Sequence, residues 1–131
     1  MTPEYRAFVE DLFVELGPVA VRRVFNFDGM YLGDAMFGLV VDERIFLKTS
    51  EVSRRSFVTE GCVPLHYRSR DGAEIAMSYY AIPDRLYDDP AEAAKWARAA
   101  YEVALRSPTA MRKQRKRAKP ARQSTGRRRR T

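Results

Sequence analysis

The chain has 131 residues, of which 45% are hydrophobic and 31% are charged, a composition typical of one soluble globular domain. Residues 107–131 hold 11 Lys and Arg and no acid, whereas residues 1–106 hold 13 bases against 17 acids. A single cysteine excludes a disulfide framework, and neither a membrane-spanning run nor a secretory signal pattern is present. We therefore expect a cytoplasmic protein with an acidic domain and a basic tail.

The first element predicted from the sequence is an amphipathic helix. Thr2 and Pro3 are typical N-cap and first-turn residues, and Gly17-Pro18 ends the pattern. Between these signals, apolar residues recur with helical spacing at Tyr5, Phe8, Val9, Leu12, Phe13 and Leu16. We expect this stripe to cover one face of a sheet.

Residues 19–49 predict three consecutive antiparallel strands. Gly33-Asp34 between apolar runs is a two-residue hairpin signal, because Gly accepts the positive φ that such turns need. A second two-residue turn is expected at Asp42-Glu43. The resulting register pairs Val41 with Arg44, Leu39 with Phe46 and Phe37 with Lys48.

Both faces of this predicted sheet are apolar. Strict alternation gives one face Phe37, Leu39, Val41 and Phe46, and the other face Met36, Val40, Ile45 and Leu47. Since an antiparallel sheet with a solvated face alternates apolar with polar residues, we expect helices on one face and a second subunit on the other. The sequence thus predicts a homodimer with interface residues Phe37, Leu39 and Phe46.

A short helix and a second hairpin follow. Thr49 or Ser50 is expected to cap the helix, which stops at Gly61. Residues 64–68 and 74–82 read as two strands separated by a turn at Asp71-Gly72.

The last helix has the strongest start signal in the chain. Asp89 is the expected N-cap, Pro90 takes the first helical position, and Glu92 lies three residues after the cap. The helix should end near Arg106, before a proline. The predicted fold over residues 1–106 is a two-layer α+β domain in the order helix, three strands, helix, two strands, helix.

Residues 107–131 predict a disordered basic tail, because they contain too few apolar residues to offset the entropy of ordering. Its cations can neutralise phosphates, and without an aromatic residue their affinity for DNA or RNA should be sequence-independent. The candidate nucleic-acid-binding residues are Arg112, Lys113, Arg115, Lys116, Arg117, Lys119, Arg122, Arg127, Arg128, Arg129 and Arg130.

The motifs of the folded part resemble those of the N-terminal domain of the TfoX/Sxy family, bacterial regulators of natural competence. The matching residues are Arg23-Val24-Phe25, Gly29-Met30-Tyr31, Met36-Phe37-Gly38-Leu39-Val40, Ile45-Phe46-Leu47-Lys48, Gly61-Cys62, Met77-Ser78-Tyr79-Tyr80, Pro83 and Trp96-Ala97. Two features depart from the family: Asn26-Phe27 replaces a usual Gly-Gly pair, and the basic tail stands where longer members have a second domain. The resemblance implies a role in transcription through a partner activator protein, and it supplies no catalytic site.

Other chemistry has weaker support in the sequence. Cys62 and His66 could form a nucleophile pair or half of a metal site, but a structural zinc site needs four ligands. The aspartates lie at predicted turns and caps, where local hydrogen bonding explains them: Asp28, Asp34, Asp42, Asp71, Asp84, Asp88 and Asp89. No phosphate-binding loop or dinucleotide fingerprint is present, so the sequence predicts no cofactor. Strand aromatics could stack bases if exposed, although the acidic domain has the wrong sign for phosphate.

The sequence is compatible with three functions. The favoured one is a non-enzymatic interaction domain that engages a transcription-related protein partner, with the tail adding nonspecific affinity for nucleic acid. The alternatives are a general nucleic-acid-associated protein whose tail is the functional part, and a small enzyme of unknown reaction.

Overall fold

The computed structural model describes residues 1–24, 27–68 and 74–106. The helices are α1 (Pro3–Leu12), α2 (Arg54–Thr59) and α3 (Pro90–Leu105), with a 3₁₀ helix over Asp84–Asp88. The strands are β1 (Val19–Val24), β2 (Phe27–Leu32), β3 (Ala35–Val41), β4 (Arg44–Lys48), β5 (Pro64–Arg68) and β6 (Glu74–Ala81). These helices and strands confirm the α+β class.

The six strands form one antiparallel sheet in the order β1-β2-β3-β4-β6-β5, with β1 and β5 at its edges. The prediction of three strands in residues 19–49 is wrong, because the structure has four. The chain reverses between Val24 and Phe27, which pair with each other. The two residues between them in the sequence include no glycine, so the usual hairpin signal is absent.

Both predicted two-residue turns are confirmed. Gly33 has a φ of +64°, in the left-handed region that glycine tolerates. Asp42 and Glu43 have φ values of 52° and 58°, and positive φ at both central positions is the turn geometry that matches strand twist. The predicted pairs are present for Val41 with Arg44 and for Leu39 with Phe46.

A β-bulge interrupts the pairing of β2 with β3. Met30 pairs with Gly38, whereas the next residue, Tyr31, pairs with Met36. Phe37 is therefore an extra residue in β3, and the alternation of side chains changes phase at this point. Because the bulge interrupts the two-residue alternation of side chains, the sequence pattern alone does not reveal it.

This bulge corrects the predicted position of Phe37. Its side chain is fully buried on the helix-covered side of the sheet, where its ring meets Phe13 edge-on at 5.9 Å between centroids. Leu39 and Phe46 belong to the cluster on the opposite side. The prediction that Phe37 shares their face is wrong, and Met36 lies against that cluster in its place.

The main core lies between the sheet and the helices. α1 contributes Val9 and Leu12, and α2 contributes Phe57. From α3 the core receives four alanines that are at most 2% exposed, Ala93, Ala97, Ala100 and Ala104. Because alanine has no side chain beyond Cβ, the α3 backbone can pack closely on the strands beneath it.

The helix starts predicted from the sequence are confirmed for α1 and α3. Thr2 Oγ1 accepts a hydrogen bond of 3.0 Å from the Tyr5 N–H. Asp89 accepts one of 3.2 Å from the Glu92 N–H. Each bond satisfies an N–H that lacks a partner within the helix.

The helix α2 is shorter than expected. The proposed cap Thr49 is buried, and its Oγ1 donates to the Ser78 carbonyl at 3.0 Å, which ties β4 to β6. Ser50 and Ser53 bond each other through N–H and Oγ at 2.9 and 3.1 Å, so these residues form a turn before the helix begins. Gly61 follows the helix with a φ of +77°, as a helix-ending glycine should.

Candidate partner-binding face

The side of the sheet opposite the helices is the candidate functional surface, and we call it the helix-free face. Its buried centre consists of strand residues alone, Leu39, Phe46, Leu65, Tyr79 and Ala81. Within the described part of the chain, the buried helix residues that pack with the sheet belong to the other cluster. The expectation of two apolar faces is therefore confirmed, and helices cover one of them.

Three cations lie over aromatic rings on the helix-free face. The cation-to-centroid distances are 4.9 Å for Arg22 over Tyr31, 5.6 Å for Arg44 over Phe46 and 5.0 Å for Lys48 over Tyr79. Contacts of this kind contribute about 0.5–1 kcal/mol each at exposed sites. The three rings are less than 10% exposed, so the cations rather than the rings meet an approaching molecule.

Strand register explains why Arg22 of β1 lies on the same face of the sheet as Phe46 of β4. Arg22 pairs with Gly29, Gly29 with Leu39, and Leu39 with Phe46. Directly paired residues in a sheet point to the same face. These four residues therefore form one row across the sheet, with Arg22 at its edge.

Strand spacing sets the separation of the three cations. Arg44 and Lys48 are four residues apart in β4, which corresponds to about 14 Å between Cα atoms. Arg22 lies three strands away from β4, also about 14 Å across the sheet. The Cα atoms of the three residues thus lie at the corners of a triangle with sides of about 14 to 16 Å.

The strand side chains of the helix-free face contrast in sign with the acidic domain around them, although Arg44, at the start of β4, also borders Glu43 and Asp84 in a cavity. Among the strand side chains that the structure describes, Asp28 of β2 is the one acid. Its carboxylate pairs with Arg23 at 3.4 Å and with the N-terminal amine at 3.7 Å. Arg22 and Arg23 are adjacent in β1, so their side chains point to opposite faces of the sheet. The ion pair of Asp28 with Arg23 therefore lies on the side opposite Arg22.

Burial changes the acid–base properties of two residues on this face. Burial, together with the neighbouring Tyr31 phenol, raises the pKa of Tyr79 to about 12. Burial also lowers the pKa of Lys48. An anion placed beside Lys48 would favour its charged form and offset this loss of hydration.

The geometry weighs against base stacking by this sheet. Tyr31, Phe46 and Tyr79 are buried beneath their cations, whereas stacking on bases requires open ring faces. Tyr80 lies on the helix side, where its ring is 5.8 Å from Phe57. Two further aromatics of the predicted strands, Phe25 and the side chain of Tyr67, lie outside the described residues.

The predicted interface residues Leu39 and Phe46 lie at the centre of the helix-free face. They are only 2% and 5% exposed in the single chain, so they form the buried layer beneath the exposed side chains of this face. The homodimer and its interface remain predictions.

Cys62 and His66 lack the features of a reactive pair. Burial, followed by the charges of Glu60 and Asp84, raises the pKa of Cys62, which disfavours the thiolate needed for nucleophilic attack. His66 is exposed on β5. In the part of the chain that the structure describes, no three His, Cys, Asp or Glu residues are grouped to hold a metal ion.

A shallow cavity of about 520 Å³ contains Asp84, one of the aspartates considered in the sequence analysis. It is lined by Tyr5, Phe8, Glu43, Arg44, Asp84 and Tyr87. Both phenols are bonded to the backbone around the β3–β4 turn: Tyr5 Oη donates to the Glu43 carbonyl, and Tyr87 Oη accepts from the Ile45 N–H, each at 2.8 Å. These bonds anchor α1 and the 3₁₀ helix to the sheet.

The three-cation arrangement was not predicted from the sequence. Arg44, Phe46 and Lys48 alternate in β4, so a strand assignment alone could have placed them together. Arg22 could not be added without the pairing of β1 with β2, which the three-strand prediction lacked. The eleven predicted tail residues, from Arg112 to Arg130, lie outside the described residues.

These features define a small antiparallel α+β domain with a helix-covered face and a cation-bearing one. The chain matches the TfoX N-terminal domain over residues 11–104 and belongs to that family. A comparison with curated proteins gave no match. None of the helices described here is both long and apolar enough to cross a membrane.

Proposed function

We propose that this chain is a non-enzymatic regulatory domain of the bacterial cytoplasm that acts through a transcription-related protein partner. The match to the TfoX N-terminal domain carries this proposal, because that family is associated with competence regulation. The helix-free face provides the surface for the partner, and the basic tail adds affinity for nucleic acid.

Charge supports the role of the helix-free face. Arg22 and Arg44 are exposed there, and Lys48 is half-buried. Charges at the rim of an interface steer association and reject partners of the same sign. The face is therefore suited to selecting a partner.

Charge also supports the role of the tail. Residues 107–131 carry 11 bases. For each phosphate that these bases neutralise, the logarithm of the association constant for nucleic acid falls by roughly 0.7–0.9 for every tenfold increase in salt concentration. Such binding would hold the partner complex near nucleic acid and raise its effective concentration there. Sequence selectivity would then come from the partner.

The first test compares DNA binding by the full-length protein and by a chain ending at Arg106. A fluorescent duplex is titrated with each protein at several salt concentrations. We expect steeply salt-dependent binding by the full-length protein and no binding by the shortened chain. Sequence-selective binding by residues 1–106 would overturn the assignment of nucleic acid to the tail.

The second test concerns the partner. RNA sequencing of the native host compares the wild type with Arg22→Gln, Arg44→Gln and Lys48→Gln combined. We expect the combined variant to lose regulation while it remains folded by circular dichroism and still binds DNA through the tail. Unchanged transcript levels would contradict a partner on this face.

The charge of the tail also favours a second candidate, a general nucleic-acid-associated protein in which the domain serves only to carry the tail. Under that function, ending the chain at Arg106 would abolish every phenotype, and folded variants of the helix-free face would have none. The same two sets of variants therefore separate the candidates.

A further inference from the structure

The charges of the described residues restrict which chemistry can bind to the helix-free face. The chain's own tail is a poor candidate, because its 11 bases would be brought against Arg22, Arg44 and Lys48. Like charges placed together in this way repel. The tail is therefore not the segment that fits this face.

A second copy of the chain meets the same difficulty. A two-fold symmetric dimer uses the same patch on both subunits, so it would set the three cations of one face against those of the other. The one described strand acid, Asp28, is paired with Arg23 and the N-terminal amine. It does not supply the compensating charge on this face.

Nucleic acid is also disfavoured. Residues 1–106 carry 17 acids against 13 bases, so the domain as a whole repels a polyanion that extends beyond the patch. The aromatic rings are buried, which removes stacking as a source of affinity. A short acidic segment is attracted by the three cations and, because it does not extend beyond them, is repelled less by the acids of the rest of the domain.

We infer that the helix-free face binds an acidic segment of a protein partner, whose carboxylates pair with Arg22, Arg44 and Lys48. This inference rests on the proposed function and specifies the chemistry of its partner. An extended segment with acids four residues apart spans about 14 Å between the Cα atoms of those acids, which matches the Cα separation of Arg44 and Lys48 in β4. Partly buried Met36 and Val41 beside the cluster favour apolar residues between those acids.

The test uses the full-length chain with its 11 tail bases replaced by Gln, so that the tail cannot capture the probe. The probe is a short fluorescein-labelled peptide of Glu and Leu, measured by fluorescence anisotropy. Adding Arg22→Gln, Arg44→Gln and Lys48→Gln together should weaken binding roughly tenfold, since exposed ion pairs contribute modestly each. The matched control is Arg55→Gln, Arg98→Gln and Arg106→Gln, three exposed helix or helix-end positions that remove the same charge and should leave affinity unchanged.

Several results would overturn the inference. One is equal loss of affinity in the face and control variants, which would mean that only net charge matters. A second is stronger binding of a labelled single-stranded DNA than of the peptide, with sensitivity to the same face variants. A third is a dimer in sedimentation that dissociates when the face is neutralised.

The outcomes also separate this inference from the proposed function. If the face variants lose regulation in the host but the face does not bind the acidic peptide, the partner uses this face through other chemistry and the inference fails alone. If the face binds the peptide but the same variants leave transcript levels unchanged, the affinity of the face for acidic segments is upheld, and the proposed function fails together with the assignment of that affinity to a transcription-related partner.

Discussion

At the scale of single residues, Gly38 is required by the space around it. A Cβ at this position would contact the Met30 methyl group and lie 2.6 Å from the Phe46 carbonyl oxygen, which belongs to the neighbouring strand. We therefore expect Gly38→Ala to lower the free energy of unfolding by about 1–3 kcal/mol, as overpacking does. Denaturant unfolding measures this change.

Gly33→Asn provides the matched comparison. Gly33 has open space around its Cβ position but a φ of +64°, which Asn tolerates better than most residues. We expect a smaller loss of stability than for Gly38→Ala. If Gly38→Ala were the more stable of the two, the close strand approach inferred here would be incorrect.

Tyr79 predicts a pH dependence of stability. Its pKa is about 12 in the folded chain and near 10 when unfolded, so its contribution is complete below pH 10 and disappears between pH 10 and 12. Tyr79→Phe should remove up to about 2 to 3 kcal/mol of that decline in the free energy of unfolding. Phenolate absorbance provides an independent check, since titration of Tyr79 near its ordinary pKa would contradict the prediction.

At the scale of elements, the α3 helix depends on its first turn. Asp89 accepts the N–H of Glu92, and replacement of such a cap by alanine costs about 1 kcal/mol. We expect Asp89→Ala to lower the melting temperature, because α3 holds four core alanines against the sheet. Asp88→Ala removes the same charge one residue earlier and should have little effect, and an equal loss in both variants would show that charge alone matters.

Local and non-local features differed in how well the sequence predicted them. Thr2, Asp89 and Gly33 were placed correctly, because caps and tight turns depend on a few adjacent residues. The phase change at Phe37 and the row linking Arg22 to Phe46 depend on pairing between strands. The apolar centre of the candidate face and the spacing of Arg44 and Lys48 within β4 were therefore predictable from local pattern, whereas the position of Arg22 was not.

At the scale of the whole molecule, charge is divided between two segments of opposite sign. The net charge of residues 1–106 is −4, and residues 107–131 carry 11 bases without an acid. At low ionic strength the domain should attract the tail and repel DNA, and both effects oppose binding of the tail to phosphate. Affinity for DNA should thus be lower than the tail alone would provide.

This expectation can be tested with a synthetic peptide of residues 107–131. At low salt the peptide should bind a fluorescent duplex several-fold more tightly than the full-length protein, because it is released from the acidic domain. The difference should disappear at high salt, where charges separated by more than about 3–5 Å are screened. Equal affinities at every salt concentration would show that domain and tail act independently, and a scrambled peptide with the same affinity would confirm that only composition matters.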